Sequence, residues 1–302
     1  MGADVFGLLK DMKNNYKKYF CTFASSNMSK ALDRIEKQAK KMNFFDDVFI
    51  YNEDKLEDSF KEKYYDKLKS NVRGFGYWVW KPEIILKSLE KINEGDVLLY
   101  CDAGCHLNKK GKEKLCEYFE KTNNSKPGIS VAQFVIESDD KNLESENNLE
   151  KEWTKGDIFD FFNVRENVYI YNTGQFQGGI IFIKKTKNTI DFIKKWALVF
   201  EQNFNLVDDS PSKSKNFEEF KENRHDQSIL SILLKIQDIP PFSIPASEIY
   251  QGNWKLLKEY PILAKRDRGL SLLNRVKRKI IYLKTKKKEN KIRTMYIIGG
   301  LG

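Results

Sequence analysis

Residues 95–108 read GDVLLYCDAGCHLN. A glycine-aspartate turn leads into five consecutive apolar residues, 97–101, and the run stops at Asp102 in an Asp-Ala-Gly triplet. A run this short and this apolar fits a strand buried on both faces, as in a parallel sheet. Asp102 then stands at the carboxyl end of that strand, where open α/β sheets form the crevice that takes ligands. A carboxylate there suits a divalent cation carrying a diphosphate, because hard cations take oxygen ligands and leave coordination positions for substrate phosphates. The same triplet also reads as an Asp turn closing a strand, with Gly104 supplying a positive φ.

Outward from this strand the pattern is α/β. Residues 18–24 (KYFCTFA) predict a first strand, 29–42 an amphipathic helix and 47–51 (DVFIY) a second strand, a βαβ opening. Residues 55–71 are polar and read as helical. Residues 73–82 (RGFGYWVWKP) gather aromatics, glycines and cations, and Pro82 opens a helix that leads into the Asp102 strand. Further strands are expected at 129–136 and 178–183, and helices at 152–162, 189–204 and 224–236. Residues 139–151 and 207–216 read as loops. Strands alternating with helices predict a mostly parallel sheet flanked by helices.

The chain has 302 residues, 40% of them hydrophobic, enough for one large α/β domain with an appendage. Its net charge of +10 is unevenly placed. Residues 265–293 hold thirteen Lys or Arg against two acids, a net of +11, and the rest of the chain carries −1. An anionic partner is therefore a partner of the tail, and the neutral body argues against a nucleic-acid-binding fold. Four cysteines are too few and too irregular for a disulfide framework, which fits a reducing compartment. The first twenty residues lack the apolar stretch of a signal peptide, and no segment approaches the ~20 apolar residues of a membrane span, so a cytoplasmic location is expected.

Several residues have the chemistry of a nucleotide-sugar site. Arg73 and Lys81 flank the aromatic segment, where cations suit a diphosphate leaving group; as a plain surface they would be snorkelling charges. Gly178 and Gly179 open an apolar strand, leaving room for a sugar ring or for sheet packing. Gln175 and Gln177 before them suit sugar hydroxyls, with Gln177 placed among the catalytic candidates. Asp226 begins a helix, where the dipole favours it regardless of function. As a functional group it would be a base, or a stabiliser of an oxocarbenium-like transition state. Gln227 beside it suits a sugar hydroxyl, or is one exposed polar residue on an apolar-faced helix.

The ordered set RGFGYWVWKP, YCDAGC, EWTKGD, GQFQGGIIFIKK and RHDQSIL, within residues 17–236, resembles bacterial nucleotide-sugar glycosyltransferases of GT-A fold that build lipopolysaccharide or capsule. The resemblance implies a GT-A (Rossmann-like) domain over 17–260, between an N-terminal extension, 1–16, and a basic tail, 261–302. It implies that Asp102, with Ala103 and Gly104, takes the place of the DxD motif that contacts metal and donor. The second aspartate of that motif is Gly104 here, so a metal needs another ligand, or cationic side chains replace it. His225 is the candidate second ligand to Mn²⁺ or Mg²⁺. Lys155 and Asp157 of EWTKGD resemble the family's segment next to the acceptor cleft. The implied reaction moves a sugar from a nucleotide diphosphate sugar to a hydroxyl of a glycan or glycolipid acceptor.

In the tail, Leu272, Leu273, Val276, Ile280 and Leu283 recur at helical spacing among cations. This predicts an interfacial helix that docks on an anionic membrane surface through residues 265–293, making the enzyme peripheral on the inner face of the plasma membrane. The alternatives are a stripe that packs on the domain, or a nucleic-acid or membrane adaptor acting through the tail alone. A sugar-phosphate nucleotidyltransferase is a further rival. It expects a glycine-rich, Arg-containing loop after the first strand, and residues 22–29 (TFASSNMS) contain neither residue.

Overall fold

The computed structural model describes residues 16–237 and 240–268. The amphipathic stripe of the tail begins at 272 and lies outside them, as does all of the expected N-terminal extension except Tyr16. A six-stranded sheet has the order β2-β1-β3-β6-β5-β7. Its strands are β1 (Lys18–Phe23), β2 (Asp47–Tyr51), β3 (Val97–Cys101), β5 (Ile129–Gln133), β6 (Phe176–Lys184) and β7 (Phe242–Pro245). A small ladder pairs β4 (His106–Leu107) with β8 (Ile262–Leu263). The chain is thus α/β with the mostly parallel, helix-flanked sheet expected. β6 alone runs antiparallel, to both β3 and β5. That reversal brings the start of β6 against the end of β3, and the Asp102 amide donates to Gly179 O at 2.8 Å.

Five helices cover the faces: α1 (Ser29–Met42), α2 (Trp80–Glu90), α3 (Lys112–Asn124), α4 (Lys187–Gln202) and α5 (Asp226–Lys235). β3 shows why both faces need cover. Leu98 and Tyr100 point into one core with Ile84, Ile85, Trp196 and Leu230; Val97, Leu99 and Cys101 point into the other with Ile35, Leu115 and Phe119. Pro82 sits in the first turn of α2, where its missing N–H costs nothing. The helix expected over 55–71 shrinks to Asp58–Lys63, and the apolar residues that flank it, Leu56 and Tyr64, are buried in the core from non-helical backbone. The strand expected to reach residue 136 stops at Gln133, and Val135 has a φ of +69°. Structured chain continues past the expected boundary at 260: β8 pairs with β4, and the Asp267 amide donates to Gly104 O at 2.8 Å. Among the described residues no helix is long and apolar enough to cross a membrane.

Candidate active site

The end of β3, the start of β6, α2 and α5 converge on one ammonium. Lys81 in α2 is only 2% exposed, and its Nζ donates to Asp226 Oδ2 at 2.5 Å and to Gly178 O at 2.8 Å. Asp102 Oδ1 lies 3.6 Å from the same Nζ and accepts from Tyr100 Oη at 2.5 Å. The Asp102 side chain is 38% exposed and that of Asp226 only 5%, so of the two carboxylates Asp102 is open and Asp226 is enclosed. Burial raises the Asp226 carboxyl to about 6, against the lowering effect of Lys81. Lys81 is fully buried, yet Asp102 and Asp226 hold it charged.

The glycine pair makes this convergence possible. A Cβ on Gly179 would stand 2.8 Å from Asp102 Oδ2; one on Gly178 would stand 3.2 Å from Asp226 Oδ2 and 3.1 Å from Gln227 Cβ. The space left by the glycines is thus taken by the two carboxylates. Gln177, between Gln175 and the pair, is half-buried on β6.

Beside this centre the aromatic segment makes a left-handed turn, with positive φ at every residue from Gly74 to Trp78. Such backbone is strained at non-glycine positions and persists only where the surroundings hold it. The Tyr77 and Trp78 rings flank the His225 imidazole at 5.3 and 5.5 Å. His225 has its own positive φ of 56°. Its Nδ1 lies 2.6 Å from Val207 O. A carbonyl only accepts, so Nδ1 carries the proton and Nε2 presents a lone pair. Burial holds the ring below the ordinary histidine pKa. Nε2 is buried without a hydrogen-bond partner, 3.8 Å from Asp209 Oδ1.

An imidazole so oriented is prepared as a metal ligand. The rest of a shell is not gathered, since among the described residues no three His, Cys, Asp or Glu side chains converge on one point. Asp102, the other expected ligand, faces the Lys81 ammonium, with Oδ1 3.6 Å from Nζ. His106 stands apart from the centre, with Nε2 3.1 Å from Asp267 Oδ2 and Nδ1 3.4 Å from Gln38.

Several sequence candidates have other duties. Gln175 is enclosed: its Nε2 faces Glu150, Thr154, Ser228 and the Trp153 carbonyl, and its Oε1 accepts from Gln227 at 2.6 Å. Gln227 in turn accepts from the Gly178 amide at 3.0 Å. The two amides thus hold β6 to α5 in place of binding a sugar hydroxyl. Lys155 is buried and donates to Asn205 O at 2.6 Å and Asp208 O at 2.9 Å, pinning the 204–210 loop. Asp157 accepts from the amides of Lys213 and Ser214, which fixes the next stretch of that loop. Arg73 is exposed but committed, to Glu222 at 2.6 Å and Asp209 at 3.2 Å. Ala103 is buried and its carbonyl accepts from Arg34 at 2.9 Å. Gly104 is not at positive φ; a Cβ there would come within 3.3 Å of the Arg266 backbone, so close packing explains this glycine.

Residues the sequence did not single out include Tyr100, Asp209 and Arg224. Tyr100 was within reach, because positions two apart on a strand share a face. Asp209 and Arg224 carry no local signal, since their partners come from distant segments.

No protein-family model matches the chain, and no curated protein sequence does. Among solved structures the chain resembles a glycosyltransferase involved in the glycosylation of the major capsid of PBCV-1, at 14% identity and a TM-score of 0.38, over 82% of this chain and 91% of that one. It resembles mouse xyloside xylosyltransferase 1 at 9% identity and a TM-score of 0.44, over 82% and 97%. It also resembles the galactosyltransferase LgtC in complex with donor and acceptor sugar analogues, at 13% identity and a TM-score of 0.40, over 77% and 74%.

Proposed function

We propose that this chain is a glycosyltransferase of GT-A type that moves a sugar from a nucleoside diphosphate sugar to a hydroxyl of a glycan or glycolipid acceptor. The observation that carries this reading is the meeting of an open carboxylate, Asp102, and an enclosed one, Asp226, on one buried ammonium at the carboxyl end of β3. That rim is where α/β sheets bind their ligands. As the bond from anomeric carbon to phosphate oxygen breaks, positive charge grows on the sugar and negative charge on the diphosphate. Asp226, raised to about 6 and still mostly ionised at neutral pH, suits the sugar side: it opposes the growing positive charge or accepts the acceptor's hydroxyl proton. Asp102, the exposed member, suits contact with donor hydroxyls, held in place by Tyr100. Lys81 keeps Asp226 ionised in a buried setting, and Gly178 and Gly179 admit both carboxylates.

Mn²⁺ or Mg²⁺ remains part of the proposal only as far as His225 Nε2 and Asp102 offer it donors; the roles above belong to the chain's own side chains. The basic tail supports docking on an anionic cytoplasmic membrane face, beside a lipid-linked acceptor of surface-glycan synthesis. The test is a panel of nucleotide sugars incubated with the full chain, with and without manganese. Release of nucleoside diphosphate from one donor, abolished in Asp102→Asn, is the expected result. No turnover or binding of any donor overturns the reading.

A further inference from the structure

One face of α1 carries cations that the rest of the body does not answer. Lys30, Arg34, Lys37 and Lys41 are spaced four, three and four apart, which sets them on one stripe of the helix about 16 Å long. The other face, with Leu32, Ile35 and Ala39, is buried in the core. Lys30, Lys37 and Lys41 are exposed, and among the described residues none of them forms an ion pair, although Asp33 lies beside them. With Asp33, Arg34 and Gln38 they line an open hollow of about 440 Å³. Like charges at this spacing disfavour the helix that bears them, so folding does not explain the stripe. Lys40, off the stripe, is paired with Glu36 at 2.5 Å.

Arg34 joins the stripe to two other segments. Its Nη2 donates to Ala103 O at 2.9 Å, to Cys105 O at 3.2 Å and to Asp267 O at 3.0 Å, and its Nη1 lies 3.4 Å from Asp267 Oδ2. The described chain ends one residue later, at Arg268, so the tail leaves the body from the middle of the stripe. Residues 269–293 then carry ten Lys or Arg and one acid, with Leu272, Leu273, Val276, Ile280 and Leu283 at helical spacing among them.

We propose that the α1 stripe and the basic tail form one docking surface for an anionic membrane, with Lys30, Lys37 and Lys41 set against lipid headgroups. This rests on the tail docking proposed above and extends it to the body; it does not depend on the transfer reaction. The apolar residues among the tail's cations favour a bilayer over a nucleic acid, because a bilayer can bury them and a duplex cannot. The chain outside the tail sums to −1, so the acids that balance the stripe lie on other faces, and that asymmetry orients the body on a negative surface. β1 and β3 are parallel, so α1, which follows β1, starts at the rim where Asp102 stands. Docking by this face therefore brings the Asp102 rim beside the headgroups, where a lipid-linked acceptor is held.

The experiment is cosedimentation of the full chain with vesicles of phosphatidylcholine containing phosphatidylglycerol, against vesicles of phosphatidylcholine alone. Wild type is compared with a Lys30→Gln, Lys37→Gln, Lys41→Gln triple variant and with a Lys69→Gln, Lys194→Gln, Lys195→Gln triple variant, which removes the same charge away from α1. All six lysines are exposed and glutamine is a comparable helix former, so both variants fold, which melting curves verify. The α1 variant loses about tenfold or more in affinity for the anionic vesicles, after screening is allowed for, and the other variant binds as wild type does. Equal affinity in all three proteins leaves docking to the tail alone and overturns the α1 face, as does an equal loss in both variants. Wild type that binds no anionic vesicle removes the tail docking as well. Binding to a DNA duplex that is tighter than to the vesicles and lost in the α1 variant makes the face a nucleic-acid surface and overturns the membrane assignment.

Discussion

Lys81 Nζ lies 2.5 Å from Asp226 Oδ2, and both side chains are enclosed, at 2% and 5% exposure. Asp102 Oδ1, 3.6 Å from the same nitrogen, is 38% exposed. One cation thus serves an enclosed and an open carboxylate, and the two halves of the site depend on each other through it. Removing one member of a buried pair strands the charge of the other.

Lys81→Met leaves Asp226 buried without its counter-ion. Its carboxyl then moves above 6, and the variant is about 3–5 kcal/mol less stable than wild type at pH 7.5. Denaturant unfolding at two pH values checks this: at pH 5, where the stranded acid is protonated, part of the loss returns.

The pH dependence of wild type has a definite sign. Asp226 titrates at about 6 in the folded chain against an ordinary 3.8, so the native state holds this proton more tightly than the unfolded one. The stability contributed by this proton is full below pH 4 and is lost as pH rises through about 6, by about 3 kcal/mol for this group alone. Unfolding curves of wild type referred to Asp226→Asn across pH 4 to 7.5 carry that difference. The acid limb of kcat/KM falls near pH 6 if ionised Asp226 serves the reaction, and Lys81→Met moves it upward.

Gly179→Ala places a methyl group 2.8 Å from Asp102 Oδ2, which must swing away from Lys81. Overpacking of this kind costs about 1–3 kcal/mol. Turnover is expected to fall well beyond what that destabilisation explains, whereas Gly252→Ala, with nothing within 4 Å of the new methyl, behaves as wild type. Parallel melting and donor-release assays separate the two effects.

Gln175→Ala tests a structural duty. Its amide joins Glu150, Thr154, Ser228 and Gln227, so truncation strands buried polar groups and destabilises the chain by about 1–3 kcal/mol. In the fraction that remains folded, KM for the donor stays near wild type; a large rise in KM with unchanged melting would restore a sugar-binding role.

What the sequence made legible follows from how local each signal is. The β3 run, the βαβ opening and α1 are encoded within a dozen residues by apolar spacing, and the structure has α1 and β2 at the expected bounds. Asp102, Lys81, Asp226 and the glycine pair were readable as candidates because each sits at a strand or helix end. Their mutual arrangement was not: Lys81 and Asp226 are 145 positions apart. For the same reason Gln175, Gln227, Lys155 and Asp157 looked free to bind a ligand, when partners from distant segments already occupy them. Gly104 read as a turn glycine, and only the position of the Arg266 backbone shows what it makes room for.

The most direct measurement is a crystal structure of the chain soaked with the nucleoside diphosphate of whichever donor it turns over. The diphosphate is expected at the β3 rim, with Asp102 and Gly179 lining one side and the Lys81–Asp226 pair facing the vacated sugar position. A diphosphate bound elsewhere, with Asp102 out of contact with the nucleotide, would mean that the β3 rim is not the donor site.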